Sequence, residues 1–214
     1  MQVKILAGLL LVASVAVSGA VQATTISLSP ATQTAGVGGP VTVDLNITGL
    51  DSSTALSSFD ISVNFDSALL SYQSTTFGDP ALGDQLDLGN LGLNGPVATP
   101  GTGTVDLIET DIFDSPSTLL SGQAKSFTLG VLTFYGLIAG ATPVSVTINS
   151  LADQDGSPFV ANTAIGSVTV QPVPLPAPIW LLASGFAALA LLASVGALSG
   201  SGKIKGCTMG RAVA

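Results

Sequence analysis

The chain has 214 residues, enough for one or two domains, and its 13 acidic and 5 basic side chains give it a net charge of −8. All the acidic residues, but only one basic residue, Lys125, lie between residues 24 and 171, so this segment carries a net charge of −12. A surface of that sign repels nucleic-acid phosphates, which excludes DNA and RNA as partners. The sequence also contains no histidine, the commonest general base and metal ligand.

The N-terminus has the three-part layout of a secretory signal peptide. Lys4 precedes an apolar stretch over residues 5–17, and small residues follow as far as Ala23. The stretch is too short to cross a bilayer core of about 30 Å comfortably. The alternative is that it remains as an uncleaved membrane anchor. We therefore predict a signal peptide over residues 1–23, cleaved after Ala23, and an exported protein.

Residues 24–171 predict an all-β domain. Apolar and polar side chains alternate in several short runs, the pattern of strands with one buried and one solvated face. The alternating apolar residues are Val41, Val43, Leu45 and Ile47, then Phe59, Ile61, Val63 and Phe65, then Val144, Val146 and Ile148, and finally Val168 and Val170. Clusters of Gly, Pro, Asp and Ser separate the runs, which predicts a sandwich of two antiparallel sheets. The single cysteine, Cys207, lies outside this segment, so the domain must be stabilised by its core.

One of the strand-like runs changes phase part-way along. Phe127, Leu129 and Val131 share one parity, whereas Leu132 and Phe134 share the other. We predict a β-bulge near Gly130, which would switch the phase without ending the strand.

Residues 78–103 show no comparable periodicity and are rich in Gly, Pro, Asp and Asn. Connections of this length in compact domains are usually functional or disordered. The alternative is that the segment contains one short strand over residues 85–88.

Two groups of aspartates are candidate calcium ligands. Asp153 and Asp155 stand at alternate positions before a turn glycine, as carboxylates do in calcium loops. The competing interpretation is a tight Asp-Gly turn between strands. Asp79, Asp84 and Asp87 in the long aperiodic segment are a second and weaker candidate.

Glu109 and Asp111 are the nearest approach to a catalytic pair. Two residues apart on a strand, they would share a face, and carboxylates about 5–9 Å apart can hydrolyse a glycosidic bond. Such a pair is more often a solvated strand face. We therefore predict a protein that is not an enzyme.

Two segments carry a resemblance to a known domain family. SSFDISVNFDSALLSYQSTTFG, over residues 57–78, is similar to the opening strands of cohesin-type domains, and residues 127–159 resemble the later strands with their Asp-Gly turn. The matching positions are Phe59, Phe65, Asp66, Leu69 or Leu70, and Gly78. Ser67 departs from the family, which commonly has proline there. The resemblance implies a β-sandwich jelly roll and a dockerin-like partner; a carbohydrate-binding module of similar fold, with calcium as a possible ligand, is the alternative.

The C-terminal part predicts a membrane helix. Residues 177–198 contain no charge and are long enough to cross a bilayer. Trp180 stands at the start of the run, where an indole favours the headgroup boundary, and Lys203 and Lys205 follow it. Basic residues tend to stay on the cytoplasmic side, so the preceding domain is expected outside.

The motif before this helix resembles a sorting signal. Val173, Pro174, Leu175, Pro176 and Ala177 spell the VPLPA variant of the PEP-CTERM signal. The resemblance covers about residues 172–205 of a predicted sorting region 172–214. It implies cleavage by an exosortase, followed by transfer to the cell surface or extracellular matrix of a Gram-negative bacterium that makes exopolysaccharide. The prolines keep the motif extended and accessible. The scattered basic tail departs from the family's compact cluster, so a domain left tethered to the inner membrane is the alternative. The expected partner of the domain is a dockerin-like module or the exopolysaccharide.

Overall fold

A computed structural model of the chain describes residues 23–173, 184 and 186. The chain divides into two compact units, Met1–Pro172 and Val173–Ala214. The described part of the first unit is the β domain. In the second unit, Ser184 and Phe186 are helical and exposed.

Over residues 23–173 the chain forms eleven strands and one short helix. In chain order these are β1 (Thr25–Ser29), β2 (Thr32–Gly36), β3 (Pro40–Thr48), β4 (Leu56–Asn64), β5 (Leu70–Phe77), β6 (Val97–Pro100), β7 (Thr104–Thr110), α1 (Pro116–Gly122), β8 (Ser126–Gly136), β9 (Gly140–Asp153), β10 (Asn162–Thr163) and β11 (Gly166–Gln171).

The strands form two sheets, as the alternation predicts. One sheet has five strands in the order β10-β1-β3-β8-β5, and the other has six in the order β2-β11-β9-β4-β7-β6. All neighbours are antiparallel except β1 with β10 and β11 with β2, which are parallel. The prediction of an all-β sandwich is confirmed.

The core lies between the two sheets and consists of the predicted inward-facing residues. Val41, Val43, Leu45 and Ile47 of β3 are buried against residues of the six-stranded sheet. The buried residues of that second sheet include Phe59, Ile61, Val63, Val105, Leu107, Val144, Val168 and Val170. The ring of Phe134 meets the rings of Phe65 and Tyr72 edge-on, at centroid distances of 5.0 and 5.9 Å. Burial of these side chains is the main force that holds the two sheets together.

The predicted bulge is present in β8. Leu45 pairs with Gly130 and Asn46 with Thr128, so Leu129 is the extra residue. Phe127 is buried before the bulge, Leu129 at it, and Leu132 and Phe134 after it. Val131, which the sequence pattern groups with Phe127 and Leu129, lies after the bulge and is on the outward side, opposite Asp44. One inserted residue therefore keeps both apolar sets in the core.

The alternative of a strand over residues 85–88 is wrong. The strand in this region is β6, which begins at Val97, and the chain before it turns repeatedly. Gln85 and Asp87 are buried together with Leu86, and their polar side chains bond to backbone groups instead of pointing to solvent. Local polar contacts of this kind replace a regular ladder.

Sequence reasoning did not identify α1, which follows the long segment. The Ser115 hydroxyl caps it by accepting a hydrogen bond from the Thr118 N–H, and Pro116 occupies its first turn. Both residues are common helix starters. The helix buries only Leu119, which gives it too little periodicity to be recognised.

Candidate functional site

The outward side of four neighbouring strands is the candidate binding surface, which we call the β6–β9 face. It is formed by the outward residues of β6, β7, β4 and β9. Directly opposed residues of antiparallel strands share a face. One row therefore contains Val97, Ile108, Asp60 and Ser150, which are register partners in turn. The remaining outward side chains are mostly hydroxyls and amides, including Thr99, Asp106, Thr110, Ser58, Ser62, Asn64, Thr147 and Asn149.

An exposed apolar pair lies in this polar face. Val97 of β6 and Ile108 of β7 are direct register partners and are 50% and 42% exposed. Ile112 and Phe113 follow the Thr110 end of β7 and are also exposed. Isolated apolar side chains are normal on protein surfaces, but a cross-strand pair flanked by polar groups resembles the centre of an interface.

A bulge in β9 places hydrogen-bonding groups beside the apolar pair. Asp60 pairs with Ser150 and Ile61 with Ile148, so Asn149 is the extra residue. Its Nδ2 donates to Oδ1 of Asp60 at 2.8 Å and to Oγ of Ser62 at 2.9 Å. Bulges commonly re-aim a side chain in this way. The second oxygen of Asp60 is left for an external donor.

The charge of the face is acidic. Asp60 and Asp106 are its charged side chains, and the domain's single cation is Lys125. The Nζ of Lys125 is buried and has no hydrogen-bond partner among the described residues. The surface of the domain therefore presents carboxylates without competing ammonium groups.

A long loop, residues 78–96, packs against the core of the sandwich through Leu86; we call it the covering loop. Leu86 of this loop is part of the buried core, and Gln123 and Ala124 form hydrogen bonds with Gln85. The Gln123 amide accepts from the Leu56 N–H at 2.7 Å and donates to the carbonyls of Leu56 and Gln85 at 2.8 and 2.9 Å. The Gln85 Oε1 accepts in turn from the Ala124 N–H at 2.9 Å. These contacts fasten the loop to the domain.

The covering loop also surrounds a buried acid. Glu109 of β7 points inward and is 2% exposed. Burial raises the pKa of its carboxyl to about 9, helped by a hydrogen bond with Asp84 and by the charges of Asp84 and Asp87. A pKa of about 9 keeps the Glu109 carboxyl protonated at pH 7.

Glu109 and Asp111 do not form a catalytic pair. Asp111 lies beyond β7, and its Oδ1 accepts hydrogen bonds from the Phe113 and Asp114 amides, both at 3.0 Å. The interpretation as a solvated strand face is also wrong for Glu109, because Glu109 has the parity of Val105 and Leu107 and is buried with them. That parity is the signal that sequence reasoning missed.

The structure places the two aspartates of the first calcium candidate in a tight turn. The Oδ1 of Asp153 accepts from the amides of Asp155 and Ser157, both at 2.9 Å. An oxygen of Asp155 accepts from Gln154 at 3.0 Å. These contacts account for the turn, and calcium binding by Asp153 and Asp155 stays a prediction. In the second candidate, both oxygens of Asp79 accept backbone hydrogen bonds, from Ala81 and Leu82 and from Thr128.

The targeting signals fall almost wholly outside the described residues. Ala23 is exposed at the start of the described chain, and Val173 is exposed near its end. The remaining residues of these predictions lie outside the described part, namely residues 1–22, Pro174, Leu175, Pro176, Ala177, Trp180, Lys203 and Lys205. Within the part that is described, no helix has the length and apolar character to cross a membrane.

Comparison with known proteins gives a fold but no family. No family model matches the chain, and no curated protein is similar to it in sequence. Solved structures do match. The sixth cohesin of scaffoldin B from Acetivibrio cellulolyticus, solved in complex with a Cel5 dockerin, has a TM-score of 0.55 at 20% identity, covering 70% of this chain and 99% of that one. The fold is that of a cohesin domain.

Two further cohesins support this assignment. The seventh ScaB type I cohesin of Pseudobacteroides cellulosolvens matches with a TM-score of 0.54 at 17% identity, over 72% of this chain and 96% of that one. A non-cellulosomal cohesin from the archaeon Archaeoglobus fulgidus matches with a TM-score of 0.53 at 15% identity, over 70% and 91%. The cohesin-like fold predicted from residues 57–78 and 127–159 is confirmed.

Proposed function

We propose that this domain is a non-enzymatic protein-binding module that captures a dockerin-like partner through the β6–β9 face. The observation that carries the proposal is the exposed pair Val97 and Ile108, set beside the hydrogen-bonding group of Asp60, Ser62 and Asn149. Interfaces combine a small apolar centre with a polar rim in this way. Several structural neighbours were solved with dockerins, which supports this kind of partner.

Paired threonine substitutions test this proposal. Val97→Thr with Ile108→Thr removes apolar surface but keeps the β-branched shape that suits a strand. Val131→Thr is the matched control, because Val131 lies on the outward side of the five-stranded sheet opposite Asp44. Full-length chain in mild detergent is used to capture partners from the envelope fraction of the native host, with proteins and glycans analysed separately. We expect a protein partner that the double variant loses and Val131→Thr retains; equal capture by all three would contradict the proposal.

Polysaccharide binding is the second candidate. Tyr135 of β8 is exposed on the outward side of the five-stranded sheet, opposite Ser71 and Pro40 on the strands that flank it. An exposed ring beside hydroxyl groups suits stacking against a sugar. In the same capture experiment, this function predicts recovered glycan that is lost on Tyr135→Ala and unaffected by the changes at Val97 and Ile108.

We also propose that the chain is exported and sorted by an exosortase through Val173–Ala177. The support is the sequence motif, the charge-free run over residues 177–198 and the basic residues after it. Intact-mass analysis of protein from the native host tests this. A species from Thr24 to between Val173 and Ala177, outside the inner membrane, is the expected result. A species in the inner membrane that retains Trp180 to Ala214 would instead indicate a tethered domain.

A further inference from the structure

Four loops and the last residue of β11 lie together at one end of the sandwich, which we call the Gln171 end. The loops are residues 37–39, 65–69, 101–103 and 137–139. The N–H of Val37 donates to the carbonyl of Gln171 at 2.9 Å, and the N–H of Leu137 donates to the carbonyl of Leu69 at 2.8 Å. Further backbone hydrogen bonds join the remaining loops to these. The chain therefore leaves the β domain beside these loops.

Three apolar side chains are exposed at the Gln171 end. Val37, Leu137 and Ile138 are 36%, 45% and 60% exposed. Their two loops are adjacent, because the N–H of Gly38 donates to the carbonyl of Gly136 at 2.7 Å. Grouped apolar side chains on neighbouring loop tips indicate a surface that contacts a protein or a membrane.

The two ends of the domain differ in charge. In the loops of the Gln171 end, Asp66 is the one charged residue. The loops at the opposite end, residues 49–55, 78–96, 111–125 and 154–161, contain seven aspartates and Lys125. The aspartates are Asp51, Asp79, Asp84, Asp87, Asp111, Asp114 and Asp155. The Gln171 end is therefore the part of this acidic domain that anionic lipid headgroups repel least.

The opposite end also exposes apolar side chains, among them Leu91, Ile112 and Phe113. These side chains share their loops with the seven aspartates, which would lose their hydration on entering a lipid surface. Removing a carboxylate from water without a partner is costly. The charge therefore separates two ends that the exposed apolar residues alone do not distinguish.

The length of the connecting chain also favours the Gln171 end. Residues 172–176 separate Gln171 from the charge-free run 177–198, which is predicted to cross a membrane. A fully extended chain spans at most about 3.6 Å per residue, so this connection reaches about 18 Å. The nine residues of β3 already span about 30 Å along the sandwich. A run inserted in a membrane would therefore keep the Gln171 end, rather than the opposite end, close to the lipid headgroups.

Given the export and sorting proposed above, we propose that the Gln171 end is a membrane-contacting surface. Val37, Leu137 and Ile138 enter the headgroup region of a phospholipid bilayer while the chain still carries residues 177–198. This contact sets the orientation of the anchored domain. The β6–β9 face runs along the sandwich between its two ends, so it stays accessible to a partner in that orientation.

Fluorescence quenching in lipid nanodiscs tests the proposal. Full-length chain with Cys207→Ser receives one new cysteine, either Ser67→Cys at the Gln171 end or Val160→Cys at the opposite end; both positions are exposed. Ser67→Cys leaves the three apolar side chains unchanged. Each cysteine carries a fluorophore, and the phosphatidylcholine nanodiscs contain a lipid with a nitroxide close to its headgroup, which quenches on contact. Size-exclusion chromatography shows whether chain and nanodisc elute together.

Two double variants, each labelled at position 67, test whether the apolar side chains make the contact. Leu137→Asp with Ile138→Asp places charges at the Gln171 end. Leu91→Asp with Leu93→Asp is the matched control, because both leucines are exposed on the covering loop. The melting temperature of each variant shows that it folds, and Ile138→Asp alone is used if the first double variant melts lower than wild type.

We expect most of the fluorescence to be lost at position 67 and nearly all of it to be retained at position 160. The aspartates at positions 137 and 138 should abolish the quenching, and those at positions 91 and 93 should leave it unchanged. Equal quenching at positions 67 and 160, or quenching that the aspartates at 137 and 138 do not reduce, would overturn the proposal. A chain that does not elute with the nanodiscs would refute the membrane run itself, and the contact surface with it, whereas partner capture by the β6–β9 face would be unaffected.

Discussion

Val97 and Ile108 stand directly opposite each other on β6 and β7, with both side chains directed away from the core. Exposing apolar surface to water is unfavourable. The two side chains do not contribute to the core, because Leu107, on the other side of β7, is the residue that is buried there. This exposure is the reason for proposing that the pair takes part in binding. The first prediction is that Val97→Thr with Ile108→Thr weakens partner binding at least about tenfold while changing the free energy of unfolding by less than about 1 kcal/mol.

Chemical denaturation and an affinity titration with the captured partner measure the two quantities. Val131→Thr makes the same chemical change on the other sheet and should alter neither. A large loss of stability in the double variant, with binding unchanged, would mean that the pair is structural.

The second prediction concerns the buried acid. The carboxyl of Glu109 has its pKa raised from 4.5 to about 9 in the folded chain. Between these values the unfolded chain has released a proton that the folded chain retains, so stability falls as pH rises from about 4.5 to about 9 and is then constant. Glu109→Gln keeps a donor for Asp84 and removes this loss. We expect it to raise the free energy of unfolding by about 1 to 3 kcal/mol at pH 7, and by less at pH 5.

Denaturation curves at a series of pH values provide the measurement. Asp106→Asn, three strand positions away on the opposite side of β7, is the control for removing a carboxyl that points away from the core, and it should not reproduce the effect of Glu109→Gln. If Glu109→Gln and wild type differ by a constant amount over that range, Glu109 is ionised in the folded protein and the assignment is wrong.

The third prediction tests how the covering loop is held. Gln123 satisfies the N–H and C=O of Leu56 and the carbonyl of Gln85, all in buried surroundings. Gln123→Ala leaves these groups without partners, and each unsatisfied buried group costs about 1 to 3 kcal/mol. We expect a loss of about 2 to 4 kcal/mol by denaturation. Gln73→Ala removes an exposed amide that donates a hydrogen bond to Ser71, so a similar loss there would argue against the explanation by buried hydrogen bonds.

The fourth prediction compares two glycines of positive φ. Gly78, with φ +84°, begins the covering loop, and a Cβ there would lie 3.1 Å from Cα of Asp84. Gly156, with φ +75°, has open space around the same position. Both substitutions to alanine incur the backbone cost of about 1 kcal/mol, but only Gly78→Ala also displaces the loop. Thermal melts should show a clearly larger loss of stability for Gly78→Ala than for Gly156→Ala. Equal losses would mean that the loop accommodates the extra carbon.

The sandwich could be predicted because its signal is local. Alternation such as that of Val41, Val43, Leu45 and Ile47 places one face of a strand in the core whatever the partner strand is, and even the bulge at Leu129 appears as a shift of phase. The covering loop could not be predicted, since Gln85 is held by Gln123 and Ala124, which are distant in sequence, while Asp87 and Asn94 make irregular contacts within the loop. Polar residues carry no periodic signal of such burial.

The β6–β9 face could be predicted only in part. The parity of Val105, Leu107 and Glu109 already places Ile108 outward, so half of the apolar pair could have been found. The outward position of its partner Val97 could not be predicted, because Val97 lies in a four-residue edge strand within an aperiodic segment. The position of Asn149 could not be predicted either, because the bulge that sets it occurs among polar residues, which give no shift of phase. These residues come together only because strands that are far apart in the sequence pair with each other, and the sequence pattern does not predict that pairing.

Site-specific photo-crosslinking in the native host tests the central claim most directly. A photoreactive phenylalanine analogue replaces Ile108 in one strain and Val131 in another, and the covalent products of the full-length chain are identified by mass spectrometry. We expect a discrete protein adduct from position 108 and none from position 131. Adducts of equal yield from both positions, or adducts to glycan in place of protein, would contradict a protein-binding role for the β6–β9 face.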